Sequence, residues 1–168
     1  MFKLFSGLVA SLLLSFTLVA EAALADQTIY LVRHAEKAKD GTRDPALTKD
    51  GEKRALWLAT YFKDKGLEAI YSSDYTRTRD TAAPTAKLTG LKVELYDARD
   101  LQEIADRAKA HGGTVLISGH SNTTNVVTNL LAGTGFEELD EKEYRLIFVV
   151  TLKDDGSAVV HIDHSNTH

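Results

Sequence analysis

The sequence contains no cysteine. The chain therefore forms no disulfide, and attachment of a lipid to an N-terminal cysteine, as in exported lipoproteins, is excluded. Export itself remains open, because oxidising compartments permit disulfides without requiring them. The sequence also lacks an internal repeat, a low-complexity tract and a second domain, and its 168 residues suit one domain with a sizeable core.

An excess of positive charge is also missing. The chain has 20 Lys and Arg against 24 Asp and Glu, a formal net charge of −4. A nucleic-acid-binding surface needs a basic patch, so this balance argues against nucleic acid as a partner. It does not argue against a small anionic ligand, because a few local arginines can bind phosphate in an acidic protein.

The residue types that bind metals do not form a recognisable site. No aspartate-rich cage is visible, and the spacing of His161, His164 and His168 matches no structural zinc pattern. A frayed C-terminal tail explains these histidines better than a metal site. We predict neither a metal nor a cofactor.

Residues 1–25 are typical of a secretory signal peptide. A short basic start precedes an apolar run over 4–20, and Ala23-Leu24-Ala25 supplies the small residues of a cleavage site. An uncleaved membrane anchor is the alternative, because the apolar run approaches a minimal membrane span. We expect cleavage, a mature domain over 26–168 in the periplasm or outside the cell, and no stable membrane insertion afterwards.

Beyond the leader, strand and helix patterns alternate. This alternation predicts an α/β fold, a three-layer α/β/α sandwich on a mostly parallel sheet, and the turn at 153–157 predicts a C-terminal antiparallel hairpin. The predicted strands cover 28–32, 69–72, 92–96, 114–118, 146–152 and 158–162, and the predicted helices 48–65, 77–88, 101–110 and 122–131.

Polar side chains follow three of the predicted strands. Arg33-His34 follows the first, the segment 72–79 with Arg77 follows the second, and 118–122 with His120 follows the fourth. The carboxyl ends of parallel strands meet at one edge of the sheet, so these side chains are expected to lie together. Arginine offers phosphate a planar fork, a neutral imidazole can attack phosphorus, and free N–H groups of helices beginning there would favour an anion.

Four short motifs in this order resemble the histidine phosphatase superfamily, which includes phosphoglycerate mutases and many small phosphatases. The resemblance runs from about Thr28 to the final hairpin and implies a phosphoglycerate mutase-like fold and a histidine phosphatase domain. The motifs are Arg33-His34-Ala35 in place of Arg-His-Gly, Leu47-Thr48-Lys49-Asp50-Gly51, Ser73 with Arg77 and Thr81-Ala82, and Gly119-His120.

The resemblance implies that His34 is the nucleophile that forms a phosphohistidine. It further implies that Arg33, Arg77 and His120 form the phosphate pocket. Ala35 departs from the usual glycine and adds a methyl group near the pocket floor, but it leaves the reacting groups intact.

The general acid is less well marked. The family often places a glutamate in an Arg-Leu-x-Glu segment after the third strand, and Asp100-Leu101-Gln102-Glu103 lacks the arginine. Glu103 is the first candidate, Asp97 and Asp100 lie closer to the strand end, and the role could also be unfilled.

Two further polar residues allow two interpretations each. Asn122 could donate to a phosphate oxygen or cap the fourth helix. Arg79 could be a third phosphate ligand, but two residues beyond Arg77 on a helix it points to roughly the opposite side, which favours the surface.

These features together predict an exported, metal-independent phosphatase that acts on a phosphorylated small molecule or an envelope-linked phosphate. A mutase is disfavoured, because the predicted connections leave few residues for a lid and glycolytic intermediates are rare outside the cytoplasm.

Two other functional classes compete with the phosphatase. A non-catalytic phospho-ligand-binding module would keep the pocket without an acid. A serine hydrolase would use Ser121, whose Gly-His-Ser-Asn-Thr context nearly matches a nucleophile elbow, with Asp140 or Asp154 and then His161.

Overall fold

Strands and helices alternate along the chain as the sequence predicts. The computed structural model describes residues 26–166, so the predicted signal peptide and His168 lie outside the described residues. No helix within 26–166 is long and apolar enough to cross a membrane. The elements are β1 (Gln27–Arg33), α1 (Lys49–Phe62), β2 (Ala69–Ser73), α2 (Thr76–Thr89), β3 (Val93–Tyr96), α3 (Leu101–His111), β4 (Val115–Gly119), α4 (Thr124–Ala132), β5 (Leu146–Leu152) and β6 (Ala158–His164).

The six strands form one sheet in the order β3-β2-β4-β1-β5-β6. The first four strands of this order run parallel, while β5 lies antiparallel to β1 and β6 antiparallel to β5. The mostly parallel sheet with a C-terminal antiparallel hairpin is therefore confirmed. Because β1, β2 and β4 are adjacent and parallel, their carboxyl ends lie at the same edge.

Each face of the sheet is covered by two helices, so the three-layer α/β/α sandwich is confirmed. On one face Phe62 of α1 and Ala82 of α2 pack with Leu116 of β4. On the other, Ile104 of α3 and Val127 of α4 belong to the second apolar cluster. Burial on both faces explains why β4 reads as a nearly continuous apolar run.

Side-chain caps and turns determine where the helices begin and end. Thr48 caps α1 by accepting a hydrogen bond from Gly51 N at 3.1 Å. The helix ends at Phe62, before the predicted end at 65, because the chain turns there. Helix α4 begins later than predicted, at Thr124, since the N–H groups of Thr123 and Thr124 first donate to His120 O in a tight turn, at 3.3 and 3.0 Å.

Two motif glycines lie where another chain segment passes closely. A Cβ at Gly119 would lie 2.8 Å from Thr123 Oγ1 and 3.1 Å from Tyr96 OH. A Cβ at Gly51 would overlap the carbonyl oxygen of Glu36. Glycine at these positions lets the turn after β4 and the start of α1 pack against the sheet edge.

Candidate active site

The four residues predicted for phosphate chemistry meet in one pocket at the carboxyl edge of the sheet. Arg33 ends β1, His34 follows it, Arg77 lies in the first turn of α2, and His120 follows β4. The ring centroids of His34 and His120 are 5.6 Å apart. The cavity has a volume of about 360 Å³. Charged and polar side chains complete its wall: Lys37, Arg99, Asn122, Ser121, Glu138 and Glu141.

The backbone holds His34 in one tautomer. Its N–H donates to Gly119 O at 2.8 Å, and its ring Nδ1 lies 2.8 Å from Ala35 O. A carbonyl oxygen only accepts, so the proton is on Nδ1 and the lone pair on Nε2, which has no hydrogen bond within residues 26–166. Burial lowers the pKa of His34 from 6.5 to about 3, so the ring is neutral at physiological pH.

The guanidinium of Arg33 uses only some of its hydrogen-bond donors. Its Nη1 donates to the carbonyl oxygens of Asp140 and Glu143, at 2.8 and 3.0 Å. Its Nη2 reaches Glu141 Oε2 at a long 3.4 Å, and its buried Nε has no partner within the described residues. The guanidinium also lies 4.3 Å from the ring centre of Tyr144, which supports it from one side.

Arg77 has a similar arrangement. Its Nη1 pairs with Asp44 Oδ1 at 3.2 Å, its Nη2 lies 3.4 Å from His120 Nδ1, and the ring of Tyr75 lies 4.6 Å from the guanidinium carbon. Its Nε is likewise buried without a partner in the described part of the chain. Two guanidinium groups in one pocket thus retain unused donors, which suits an anion.

His120 is positioned by a hydroxyl pair from the second strand. Its Nε2 lies 2.8 Å from Ser73 Oγ, which lies 3.0 Å from Thr78 Oγ1. A guanidinium only donates, so the contact with Arg77 Nη2 makes Nδ1 an acceptor, and the ring proton on Nε2 donates to Ser73 Oγ. Burial, reinforced by Arg77 and Arg33, lowers the pKa of His120 from 6.5 to about 4.

None of the three acid candidates predicted from the sequence lines this pocket. Glu103 is exposed on α3, and its carboxylate pairs with Arg107 at 3.3 Å, one helical turn on. Asp100 caps the same helix, and Asp97 pairs with Arg99 at 2.7 Å. Helix α3 begins directly after the strand end, which directs these carboxylates to its own first turns and away from His34.

For Asn122 and for Arg79 the structure excludes one of the two interpretations. Asn122 lines the pocket and does not cap α4, because the N-cap position is taken by Thr123. Arg79 is half-exposed and pairs with Asp74 outside the pocket. Of the free N–H groups expected at the start of α2, that of Thr76 is occupied, since the carboxylate of Asp44 accepts from Thr76 N at 2.9 Å.

The segment between α4 and β5 supplies pocket residues that the sequence did not suggest. Leu139 N donates to Ser121 O at 3.1 Å, which places the segment beside the turn after β4. Glu138 and Glu141 then line the cavity. The signal in the sequence is a segment rich in acidic residues over 137–143, on a long connection between two elements.

The residues of the alternative serine hydrolase do not come together. Ser121 Oγ donates to Glu141 Oε1 at 3.1 Å and contacts no histidine nitrogen. His161 lies on β6 and pairs with Asp163 at 2.8 Å. Within residues 26–166 no group of three or more metal-ligating side chains forms a metal site, so the histidines on β6 do not build one either.

The fold and the pocket define an α/β protein with an arginine- and histidine-lined pocket at the carboxyl edge of its sheet. Residues 29–105, which include Arg33, His34 and Arg77, match the histidine phosphatase superfamily (branch 1). This segment belongs to that superfamily. His120 lies beyond the matched residues and joins the pocket through the fold.

Among curated proteins, the chain is similar to the probable phosphoglycerate mutase GpmB of Escherichia coli (strain K12 / DH10B) and of Shigella boydii serotype 18. Each is 40% identical over 77 residues, which cover 42% of this chain and 35% of the relative. The chain thus spans about a third of the length of these relatives.

Solved structures resemble the whole domain. The protein histidine phosphatase SixA complexed with tungstate has a TM-score of 0.67 at 18% identity and covers 83% of this chain and 97% of its own. Phosphoglycerate mutase from Bacillus anthracis str. Sterne has a TM-score of 0.65 at 18% identity, and the match covers 83% of this chain and 93% of the mutase. Phosphoserine phosphatase from Entamoeba histolytica, in complex with 3-phosphoglyceric acid, has a TM-score of 0.64 at 16% identity, covering 84% and 98%. At these identities the likeness shows the fold.

Proposed function

We propose that this protein is an exported phosphatase that hydrolyses phosphate monoesters through a phosphohistidine on His34, without a metal. One observation carries this proposal. The bond from Nδ1 of His34 to Ala35 O leaves a lone pair on Nε2, in a pocket where Arg33 and Arg77 have unused guanidinium donors. A fixed nucleophile beside cations with unused donors suits phosphoryl transfer.

In the first step Nε2 of His34 attacks phosphorus. A nitrogen–phosphorus bond forms and the bond from phosphorus to the ester oxygen breaks. Nδ1 keeps its proton, which remains hydrogen-bonded to Ala35 O. Arg33 and Arg77 stabilise the charge on the other phosphoryl oxygens. His120 lies beside them and orients Arg77, because its Nδ1 accepts from Arg77 Nη2 while its Nε2 donates to Ser73 Oγ.

We assign the general acid to Glu141 in place of Glu103. Its carboxylate lines the pocket and contacts Arg33 Nη2 at 3.4 Å, where a phosphoryl oxygen would bind. An incoming phosphate dianion displaces it from Arg33, and the carboxyl group then carries a proton beside the ester oxygen. That proton is then available to the leaving oxygen.

The second step restores the enzyme. The Glu141 carboxylate accepts a proton from water as the water oxygen attacks phosphorus. The nitrogen–phosphorus bond breaks, its electron pair returns to Nε2 of His34, and inorganic phosphate leaves. Glu141 is then protonated again, so the cycle balances.

Hydrolysis is expected to exceed mutase activity. A mutase must keep water from its phosphoenzyme, which usually needs a covering segment. The connection after β3 covers only residues 97–100 before α3 begins, so this connection is too short to form one. The similarity to named phosphoglycerate mutases covers about a third of their length, so it does not extend to the parts that complete those proteins.

The decisive experiment is a phosphatase screen of the mature protein over a panel of phosphate monoesters, with His34→Ala as the blank and EDTA in a parallel set. We expect release of phosphate that survives EDTA and disappears in the blank. Loss of activity in EDTA would contradict the metal-free mechanism. Phosphate binding without hydrolysis of any compound would favour a phospho-ligand-binding module.

The assignment of Glu141 has its own test. Glu141→Gln should lower kcat/KM, which reports the first step, much more for an alkyl phosphate than for p-nitrophenyl phosphate, because a good leaving group needs no acid. Glu138→Gln is the matched control, since it removes the other pocket carboxylate. Equal losses on both substrates, or the selective loss in Glu138→Gln, would refute the assignment.

Export rests on the leader sequence alone. The basic start, the apolar run and Ala23-Leu24-Ala25 support cleavage before Asp26 and a location in the periplasm or outside the cell. Such a location limits the substrate to phosphorylated small molecules or envelope-linked phosphates. N-terminal sequencing of fractionated protein should show a chain beginning near Asp26, and an intact Met1 on cytoplasmic material would contradict it.

A further inference from the structure

A second groove adjoins the pocket on the side of Glu141. Its volume is about 430 Å³, and Lys37 and Glu141 line both cavities, so the two are adjacent. Three lysines and three carboxylates contribute to its wall: Lys37, Lys39, Lys142, Glu36, Asp50 and Glu141.

The charges of this groove do not cancel one another. Each carboxylate is paired with a cation from outside the groove: Glu36 with Arg54, Asp50 with Lys53, and Glu141 with Arg33. The three lysines form no ion pair within residues 26–166. Local positive charge is therefore left unbalanced, in a protein whose net charge is −4.

The groove is built on a fixed backbone. Lys37 forms a β-bridge with Leu47, and Ala38 N donates to Ala46 O at 2.8 Å. Thr48, which lines the groove, caps α1. Lys37 also contributes to the lowered pKa of His120, which places its charge near the phosphoryl pocket.

The groove on the opposite side of the pocket differs in charge. Tyr75, Ala98 and Arg99 connect it to the pocket. There Arg99 is paired with Asp97 and Asp74 with Arg79, so no charge is left over. An anionic substituent on a bound substrate would consequently be drawn toward the lysines.

We propose that this lysine groove binds a second anionic group, a carboxylate or a phosphate, on the substrate whose scissile phosphate lies beside His34. The inference rests on the proposed function, since it describes the substrate of the same site. The phosphatase should favour doubly anionic phosphate esters over neutral ones of the same length.

The test compares 6-phosphogluconate with sorbitol 6-phosphate, which differ only in a carboxylate against a hydroxymethyl group. We expect wild-type kcat/KM to favour 6-phosphogluconate, and the double variant Lys39→Gln/Lys142→Gln to lower that preference about tenfold, as for the loss of two exposed ion pairs. Raising the ionic strength from about 0.01 M to about 1 M should also reduce the preference, because the Debye length falls from about 30 Å to about 3 Å.

The control is Lys63→Gln/Lys87→Gln, which removes the same charge near the C-terminal ends of α1 and α2, at the other edge of the sheet. It should leave the preference unchanged. A wild-type preference within about twofold, or the same fall in both double variants, would overturn the inference.

A binding measurement separates this inference from the mechanism. In calorimetry, His34→Ala should bind 6-phosphogluconate more tightly than sorbitol 6-phosphate, whether or not the wild type turns either over. Equal affinity for the two would refute the lysine groove alone. Absence of binding by either compound would refute the phosphate pocket as well.

Discussion

Two buried arginines lie close to the sheet edge, and they differ in how completely their guanidinium nitrogens are hydrogen-bonded. Arg54 of α1 has every guanidinium nitrogen engaged, by both carboxylate oxygens of Glu36 and by Ser165, with distances down to 2.6 Å. Arg33 is even more buried, at 2% exposure against 6%, but has one nitrogen without a partner and another on an exposed carboxylate at 3.4 Å.

The difference shows which of the two is available for a ligand. A buried cation with a complete set of partners stabilises the fold, and removing one partner leaves an uncompensated charge. A buried cation with an incomplete set retains donors for an incoming anion. Arg54 and Glu36 therefore hold the segment after His34 against α1, whereas Arg33 is expected to act on substrate.

Of the two arginines compared, Arg33 should have the larger effect on activity when replaced. Arg33→Met removes a desolvated donor to the transferring phosphoryl group and should cost about 3–4 kcal/mol, which is about 10²–10³-fold in kcat/KM. Steady-state kinetics on a phosphate monoester measure the loss. Activity near that of the wild type would remove the distinction between the two arginines.

Replacing Arg54 should act mainly on stability. Arg54→Met leaves Glu36 without its cation and should lower the free energy of unfolding by about 3 kcal/mol. Urea denaturation of Arg54→Met and Arg33→Met in parallel measures the difference. A larger loss of stability in Arg33→Met than in Arg54→Met would reverse the assignment.

Acid should destabilise the protein through the two pocket histidines. Burial lowers the pKa of His34 to about 3 and of His120 to about 4, whereas the unfolded chain takes up these protons near 6.5. The unfolded state binds more protons below that value, so the free energy of unfolding falls by at most about 2.7 kcal/mol per pH unit from about pH 6.5 toward pH 4. Above about pH 6.5 neither histidine contributes to the pH dependence of the free energy of unfolding.

Denaturation at several pH values would measure this slope. His34→Asn/His120→Asn should flatten it, whereas His161→Asn should not, because His161 lies exposed on β6. A slope that persists in the double variant would assign the acid sensitivity to other groups.

Replacing Arg77 by lysine should produce the smallest of these effects. Arg77→Lys keeps the charge but loses the planar fork. The free energy of the transition state should therefore rise by about 2 kcal/mol, so that kcat/KM falls about 30-fold. Arg79→Lys, two residues away and paired with Asp74 outside the pocket, is the control. Equal activity of the two variants would show that charge alone is needed at Arg77.

Local signals made most of the fold and part of the site predictable. The apolar periodicity, the cap at Thr48 and the glycines predicted the alternation of strands and helices, because each of these acts within a few residues. The positions of Arg33, His34, Arg77 and His120 at one pocket followed from the parallel sheet, since each lies at or just beyond the carboxyl end of a strand.

The remaining parts depend on contacts between distant residues. Glu141 contacts Arg33 across 108 positions, and Asp44 occupies the start of α2 across 32. No local pattern marks either contact. The family resemblance favours Glu103 through a loose match to an Arg-Leu-x-Glu segment, but α3 begins at Leu101 and pairs Glu103 with its own Arg107.

The central claim is that His34 carries the phosphoryl group during turnover. The most direct measurement is a rapid acid-free quench of the wild type with a ³²P-labelled phosphate monoester, followed by peptide mapping. The label should lie on the peptide containing His34, resist base, be lost in acid and be absent from His34→Ala. An acid-stable label on Ser121, or hydrolysis by His34→Ala at the wild-type rate, would contradict the account.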